Sequence, residues 1–224
     1  MKYSICMITL NDIECIEKTL QNLCPFINDE FIIIDGGSSD GTLELIEKYA
    51  NNYNIMLFSE SWNDDFSYQK NLAIEKAKNK WILWVDADET YEYVFLCQLP
   101  WYIWDAERNG VDCIYVPRIN TIEGLPDEEL QKYTQEQGWQ MSGFRWINYP
   151  DTQQRIFKSN CKFVGRSHER IVGASRESSL VGQHILHPKT KDRQQRGLDR
   201  EKHLYEHEAQ NVLDRIMEGE EKYG

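Results

Sequence analysis

Asp86 and Asp88 stand two residues apart at the end of an apolar run, Trp81-Ile82-Leu83-Trp84-Val85, with Glu89 close behind. If the chain stays extended through them, the period of two puts both carboxylates on one face, where a divalent cation could bridge them to phosphate oxygens. An ordinary acidic strand end has the same appearance. A second stretch, Asp35-Gly36-Gly37-Ser38-Ser39-Asp40-Gly41-Thr42, follows another apolar run, Phe31 to Ile34. Its small residues let backbone approach a ligand closely, Asp35 can accept hydrogen bonds from a base or ribose, and a helix starting here would favour anionic groups. A Gly-rich turn with a capping Asp explains the same string. It lacks the Lys of a P-loop and the GxGxxG of a dinucleotide fold.

The elements that must position these residues alternate. Tyr3 to Thr9, Phe31 to Ile34, Ile55 to Phe58 and Trp81 to Val85 are strand-length apolar runs, and helical patterns at Ile13 to Leu23, Leu43 to Tyr49 and Phe66 to Ala77 separate them. Such alternation predicts an α/β fold with a mostly parallel, Rossmann-like sheet flanked by helices, its strands buried on both faces. Asp40 is placed to cap the second helix and Asp64 or Asp65 the third, so ligands should gather at that edge of the sheet. Beyond Tyr91 the pattern changes. Pro100 interrupts an aromatic stretch holding Trp101, Tyr102 and Trp104; Val111 to Pro117 reads as a strand and Ile122 to Met141 as loop or helix. Arg155 to Phe157, Phe163-Val164, Glu169 to Val172 and Leu180 to Leu186 read as short strands, and Gln194 to Met217 as a charged terminal helix. The expected organisation is one domain over 1–224: a nucleotide-binding half to about 90, an acceptor-side half from 91 to 190, and a terminal helix from 191.

The bulk composition narrows the function. With 41% hydrophobic and 28% charged residues the chain is an ordinary globular protein, and a formal net charge of -12 disfavours a broad phosphate-binding surface. An acidic protein that holds a diphosphate needs a cation to reverse the sign, and carboxylates can supply its site. No run of 18 apolar residues exists, so no stable membrane insertion is expected. The start at Met1 runs straight into a buried strand, which predicts a cytoplasmic protein, with peripheral attachment at the inner membrane face left open. Six cysteines without a CxxC pair, four of them (Cys6, Cys24, Cys97 and Cys113) in apolar segments, predict reduced, buried thiols.

The Asp35 turn at the second strand, the Asp86-Ala87-Asp88 motif at the fourth, and Trp62-Asn63-Asp64-Asp65-Phe66-Ser67-Tyr68-Gln69-Lys70-Asn71-Leu72-Ala73 between them together resemble the family 2 glycosyltransferases of the GT-A fold over about residues 1 to 90. The family's usual turn is Asp-Asp-Gly-Ser where this chain has Asp35-Gly36-Gly37-Ser38, and it often has Arg where Lys70 stands. Gln154-Arg155-Ile156-Phe157-Lys158 and Gly165-Arg166-Ser167-His168-Glu169 resemble the second-half signature of smaller bacterial members.

The resemblance implies a glycosyltransferase that moves a sugar from a nucleotide-diphosphate sugar, a UDP-sugar favoured, to an acceptor hydroxyl with inversion. Thr9, Asn11, Asp35, Gly36, Lys70, Asp86, Ala87 and Asp88 would bind the donor. Asp88, with His187 of His184-Ile185-Leu186-His187, would hold Mn2+ or Mg2+, and Asp86 would act beside them. Glu169 would be the base, with Asp151 and Glu89 in reserve, although a Glu there could equally pair with Arg166 or Arg170. The acceptor could be a saccharide, a lipid-linked glycan, a protein or a modified nucleic-acid base, and Trp101, Trp104, Trp139, Phe144 and Trp146 offer stacking faces.

Three other readings compete. In a nucleotidyltransferase, a Gly-rich basic loop would follow the first strand, where Asn11-Asp12-Ile13-Glu14 is neither. A non-catalytic sugar-nucleotide-binding module would need none of the carboxylates. Asp86-Ala87-Asp88-Glu89-Thr90 also resembles the first motif of haloacid-dehalogenase-type phosphatases, but that motif belongs early in a chain and here falls at the fourth strand. His203 and His207, four apart on the terminal helix, lack the Glu that a metalloprotease places after its first His, and they read as a solvated face.

Overall fold

The computed structural model describes residues 1–166 and 169–218, with side chains through residue 206. Four strands, β1 (Ser4–Thr9), β2 (Glu30–Asp35), β3 (Ile55–Ser59) and β4 (Trp81–Trp84), lie parallel in the order β3-β2-β1-β4. Helices α1 (Ile16–Leu23), α2 (Thr42–Ala50) and α3 (Phe66–Lys76) connect them. β2, Glu-Phe-Ile-Ile-Ile-Asp, is buried at every position, as a β-branched run covered on both faces should be. The period of two divides the strand side chains between two cores. Ile5, Met7, Phe31, Ile33 and Leu83 pack with Ile16, Leu20 and Leu23 of α1, whereas Cys6, Ile32, Ile34, Ile82 and Trp84 pack with Ala73 and Ile74 of α3.

The second half extends the same sheet. β5 (Thr90–Tyr91), α4 (Tyr93–Arg108), β6 (Cys113–Glu123), α5 (Asp127–Glu136) and β7 (Ile147–Lys158) lead into the short strands β8 (Lys162–Val164), β9 (Arg170–Val172) and β10 (Glu177–Ser179). Then come β11 (Ile185–Thr190) and α6 (Lys191–Glu218). Among the described residues the sheet has nine strands in the order β3-β2-β1-β4-β7-β6-β11-β5, with β10 beside β6, while β8 and β9 form a separate pair. β7 runs antiparallel to both β4 and β6, and β11 lies parallel to β6. The carboxyl ends of β1 to β4 therefore open onto the amino end of β7 and onto β11. No helix among the described residues is long and apolar enough to cross a membrane.

Four expectations about the elements are corrected. Pro100 does not interrupt a helix: α4 continues through it, because Phe95, Leu96, Leu99, Ile103 and Ala106 bury one face against the core. That burial offsets the lost hydrogen bond and the ring clash, which cost about 3 kcal/mol. Leu180 to Leu186 is not one strand, since the left-handed Gly182 (φ 75°) turns the chain between β10 and β11. Cys97 is exposed on the outer face of α4, whereas Cys6, Cys24, Cys113 and Cys161 are buried. The terminal helix begins at Lys191, the expected start of the terminal segment, rather than at Gln194, the start of its charged run, which brings Arg193 into it.

Candidate active site

At the carboxyl edge of β1 to β4 lies a cavity of about 680 Å³, lined from β1 and its loop by Thr9, Leu10, Asn11 and Asp12 and from the β4 turn by Asp86, Ala87 and Asp88. α3 contributes Gln69 and Lys70, β7 contributes Asp151 to Arg155, and Glu169, His187, Lys189 and Arg193 complete the walls. The volume is that of a small-molecule site.

The floor is tied together by the β1 loop and the β2 turn. Asp35 is buried, and its Oδ2 accepts from the backbone N–H groups of Gly37 and Ser38 at 2.9 Å each. Its Oδ1 has no partner among the described residues, an exception for a buried polar atom. Gly36 donates to the Thr9 carbonyl at 2.8 Å, and a Cβ there would stand 3.3 Å from both that oxygen and Leu10 Cβ, so the contact favours glycine. Asn11, left-handed at φ 56°, accepts from Ser39 N–H at 2.8 Å on its side-chain oxygen and donates its own backbone N–H to Ser38 Oγ at 2.9 Å. Asp35 and Gly36 thus sit behind the cavity wall that Thr9 and Asn11 form. Asp40 accepts from Thr42 N–H at 3.0 Å at the start of α2, and Asp65, not Asp64, caps α3 by accepting from Tyr68 N–H at 2.9 Å.

The two carboxylates of the Asp86-Ala87-Asp88 motif do not continue the strand. β4 ends at Trp84, and Glu89 N–H closes a turn onto the Asp86 carbonyl at 3.1 Å. The side chains consequently meet different cations. Asp86 accepts from Arg155 Nη2 at 2.5 Å and from Trp84 Nε1 at 3.0 Å, with Lys70 Nζ at 3.9 Å. Asp88 Oδ2 meets His187 Nε2 at 3.2 Å, Arg193 Nε at 3.1 Å and Lys189 Nζ at 3.7 Å. Burial pushes both carboxyls up, but these cations outweigh it and hold each well below the usual carboxylate range.

Beneath Asp86 lies a network that spacing did not reveal. Glu89 is fully buried and accepts from Arg155 Nη2 at 2.6 Å and Arg118 Nη1 at 3.2 Å, which makes it a structural counter-ion rather than a solvent-facing base. Arg118 also donates to Asp151 at 2.7 and 2.8 Å. Burial pushes Asp151 up, yet Arg118 with hydrogen bonds from Asn120 and Gln153 leaves it below its ordinary value. The expected signal, Gln154-Arg155-Ile156-Phe157-Lys158, was present in the chain, but the inward aim of Arg155 follows from the β4–β7 register.

Across the cavity Glu169 pairs with Lys70 of α3, not with Arg166 or Arg170. Lys70 is itself buried, with its ammonium 5.2 Å from the Trp84 ring centre and 4.9 Å from that of Phe163. Ser167 and His168 of the expected motif lie outside the described residues, as does the side chain of His207. Among the stacking candidates, Trp101 and Trp104 are exposed on α4, and Trp139 packs edge-on against Tyr133. Phe144 and Trp146 form an aromatic cluster with Tyr149 and His184 at the start of β7.

His187 is oriented for coordination. The Asn120 amide donates its Nδ2 hydrogens to Asp151 Oδ2 at 2.9 Å, which leaves its Oδ1 to accept from His187 Nδ1 at 2.7 Å. Nε2 then faces Asp88, as a hydrogen-bond donor when the ring is doubly protonated and as a free lone pair when it is neutral. Carboxylate oxygen suits either Mn2+ or Mg2+ in a site completed by phosphate oxygens, and the imidazole nitrogen favours Mn2+ of the two. Among the described residues no group of three His, Cys, Asp or Glu side chains is placed to hold a metal alone.

A mostly parallel α/β sheet whose carboxyl edge presents Asp86 and Asp88 to a polar cleft is similar to the fold of the GT-A class of glycosyltransferase domain. The model of glycosyl transferase family 2 matches residues 4–167, and the chain belongs to that family. It is 28% identical over 165 residues to the SPbeta prophage-derived glycosyltransferase SunS of Bacillus subtilis, covering 73% of this chain and 33% of SunS. It is 30% identical over 141 residues to the poly(ribitol-phosphate) beta-N-acetylglucosaminyltransferase TarS of Staphylococcus aureus, covering 61% of this chain and 24% of TarS. The chain thus spans a third or less of these relatives. The fold is similar to that of TarS in complex with UDP-GlcNAc, with a TM-score of 0.61 at 19% identity over 85% of this chain and 59% of the other. It is also similar to the mannosyltransferase PcManGT of Pyrobaculum calidifontis in complex with GDP-Man and Mn2+, with a TM-score of 0.54 at 16% identity over 83% of this chain and 56% of the other.

Proposed function

We propose that the chain is a single catalytic domain that transfers a sugar from a nucleoside diphosphate sugar, a UDP-sugar favoured, to an acceptor hydroxyl with inversion. The observation that carries this reading is the convergence of Asp88 and His187, 3.2 Å apart, from the β4 turn and β11 onto one cavity at the carboxyl edge of the sheet. The nucleoside would lie against Thr9 and Asn11, in front of Asp35, whose Oδ1 has no partner among the described residues. Asp86, fixed by Arg155, would lie near the ribose or first phosphate. Asp88 and His187 would hold Mn2+ or Mg2+, which when bound neutralises charge on the leaving diphosphate.

Glu169 would take the acceptor proton. Lys70 holds its carboxylate at the cavity wall. The acceptor-side half is the region from about 91 to 190, and its acceptor is a hydroxyl-bearing saccharide, lipid-linked glycan, protein or modified base. Support for a UDP-linked donor comes from the TarS neighbour, whose solved complex contains UDP-GlcNAc, and support for a divalent ion from PcManGT, whose complex contains Mn2+.

Release of nucleoside diphosphate from UDP-, GDP- and TDP-sugars, followed with and without Mn2+, tests the proposal. Asp88→Ala is expected to abolish the divalent-dependent release. Full transfer activity in that variant, with unchanged ion dependence, would show the mechanism to be wrong.

A further inference from the structure

The first turns of α6 present a cationic face to the cavity. Arg193, Arg196, Gly197 and Arg200 all line it, at helical spacings of three, four and seven, and Lys189 joins them from β11. These four cations outnumber Glu201, the one acid of α6 among the described residues of the same wall, and this local excess of positive charge in a chain of net charge -12 favours an anion. At Gly197 an added Cβ would meet nothing within 4 Å, so the wall is open at its centre.

Arg193 is the residue in which this wall meets the carboxylates. Its Nε donates to Asp88 Oδ2 at 3.1 Å, its Nη2 to Asp12 Oδ1 at 2.7 Å and its Nη1 to Glu14 Oε1 at 3.1 Å. One guanidinium therefore joins the β4 turn, the β1–α1 loop and α6. A divalent cation on Asp88 Oδ2 would stand against that fixed positive charge and repel it. A diphosphate, in contrast, offers the guanidinium a bidentate partner, where each of the three carboxylates takes a single hydrogen bond.

We propose that Arg193 is a positioning residue that changes partners: it neutralises Asp88 and Asp12 in the free protein and turns to the diphosphate of the donor when a divalent cation takes Asp88. This rests on the reading of the cleft as a nucleoside diphosphate site. Arg193 then makes the two ligands mutually dependent. The free protein binds the ion poorly because Arg193 occupies its ligand, and it binds the nucleotide poorly because Arg193 is engaged; each ligand relieves the obstacle to the other.

Calorimetric titration of Mn2+ into the nucleotide-free chain, and of UDP into the chain at saturating Mn2+, tests this in wild type, Arg193→Gln and Arg193→Lys. Arg193→Gln is expected to tighten Mn2+ binding to the free protein about tenfold while weakening UDP binding about tenfold at saturating Mn2+. Opposite signs for the two ligands are the signature, because mere structural damage weakens both. Arg193→Lys keeps the charge and loses the fork, so Mn2+ binding should match wild type and UDP binding should fall at least about threefold. If Arg193→Gln does not fold, that result with Arg193→Lys carries the test. Unchanged affinities, or losses for both ligands, overturn the proposal. So does an equal effect from Lys202→Gln, which removes a charge from α6 outside the cavity. A wild-type chain that binds no nucleoside diphosphate with Mn2+ overturns the donor reading itself, whereas intact wild-type binding with an indifferent Arg193→Gln overturns only the partner exchange.

Discussion

Replacing Arg155 by Met tests the network that holds the Asp86-Ala87-Asp88 turn in place. Arg155 is 3% exposed and Glu89 0% exposed, with 2.6 Å between Nη2 and Oε1, and the same nitrogen reaches Asp86 Oδ2 at 2.5 Å. Removing one partner of a buried ion pair leaves the other charge uncompensated and costs about 3–5 kcal/mol. Here Arg118 remains 3.2 Å from Glu89, and Asp86 keeps the Trp84 indole N–H at 3.0 Å, so the loss should fall near the lower end, about 3 kcal/mol. With a urea slope of roughly 2–3 kcal/mol per molar, the unfolding midpoint should fall by roughly 1–1.5 M. Adding Glu89→Gln removes the stranded charge, so the double variant should be more stable than the sum of the single losses by on the order of 1–3 kcal/mol. Urea titrations followed by tryptophan fluorescence measure all four proteins. A midpoint shift below about 0.3 M for Arg155→Met, or strictly additive losses, would refute the account of this network.

Other outcomes follow from the same geometry. Glu169→Gln should lower kcat by roughly 10²–10⁴ while leaving nucleotide affinity nearly unchanged, and full turnover in that variant, with loss in Asp151→Asn, would transfer the base role to Asp151. The folded-state carboxyls of Asp86 and Asp88 lie below their unfolded value near 3.9, so the stability they contribute is complete above about pH 4 and is lost as pH falls toward the folded values. Asp88→Asn should therefore flatten the acid limb of the stability curve by up to roughly 1.4 kcal/mol per pH unit, and an unaltered limb would contradict the assignment. A thiol reagent at neutral pH should modify Cys97 rapidly and the buried Cys6, Cys24, Cys113 and Cys161 only on unfolding. Cys15, its thiol pushed up to about 12 by burial, should be slow. Cys97→Ser should remove the fast phase, and a fast phase that persists would place another thiol at the surface.

Much of the first half was legible because each element carries its own signal. β2 is apolar between its terminal carboxylates and buried throughout, Ile16, Leu20 and Leu23 repeat at helical spacing, and Asp65 marks the start of α3. The Asp35 turn and the Asp86-Ala87-Asp88 segment follow parallel strands on either side of β1, so their placement at one sheet edge followed from the alternation of strand and helix. The second half was not legible to the same degree. β8 and β9 were legible as short apolar runs, but β10 is three exposed residues with no apolar pattern to register, and α4 holds Pro100 only because tertiary packing outweighs local preference. Charge pairing was the least visible part. Arg193 reaches Asp12 across 181 residues and Lys70 reaches Glu169 across 99, separations at which spacing carries no information. The extended reading of Asp86 and Asp88 failed for a local reason: the turn closed by Glu89 N–H swings the two carboxylates toward different cations.

The central claim is that the Asp88 and His187 side of the cavity holds a nucleoside diphosphate through a divalent cation. Titration calorimetry of UDP into wild type and Asp88→Asn, each with Mn2+ and with EDTA, addresses it directly. The account predicts UDP binding that depends on Mn2+ in wild type and falls at least about tenfold in Asp88→Asn. Equal affinity under all four conditions would contradict it.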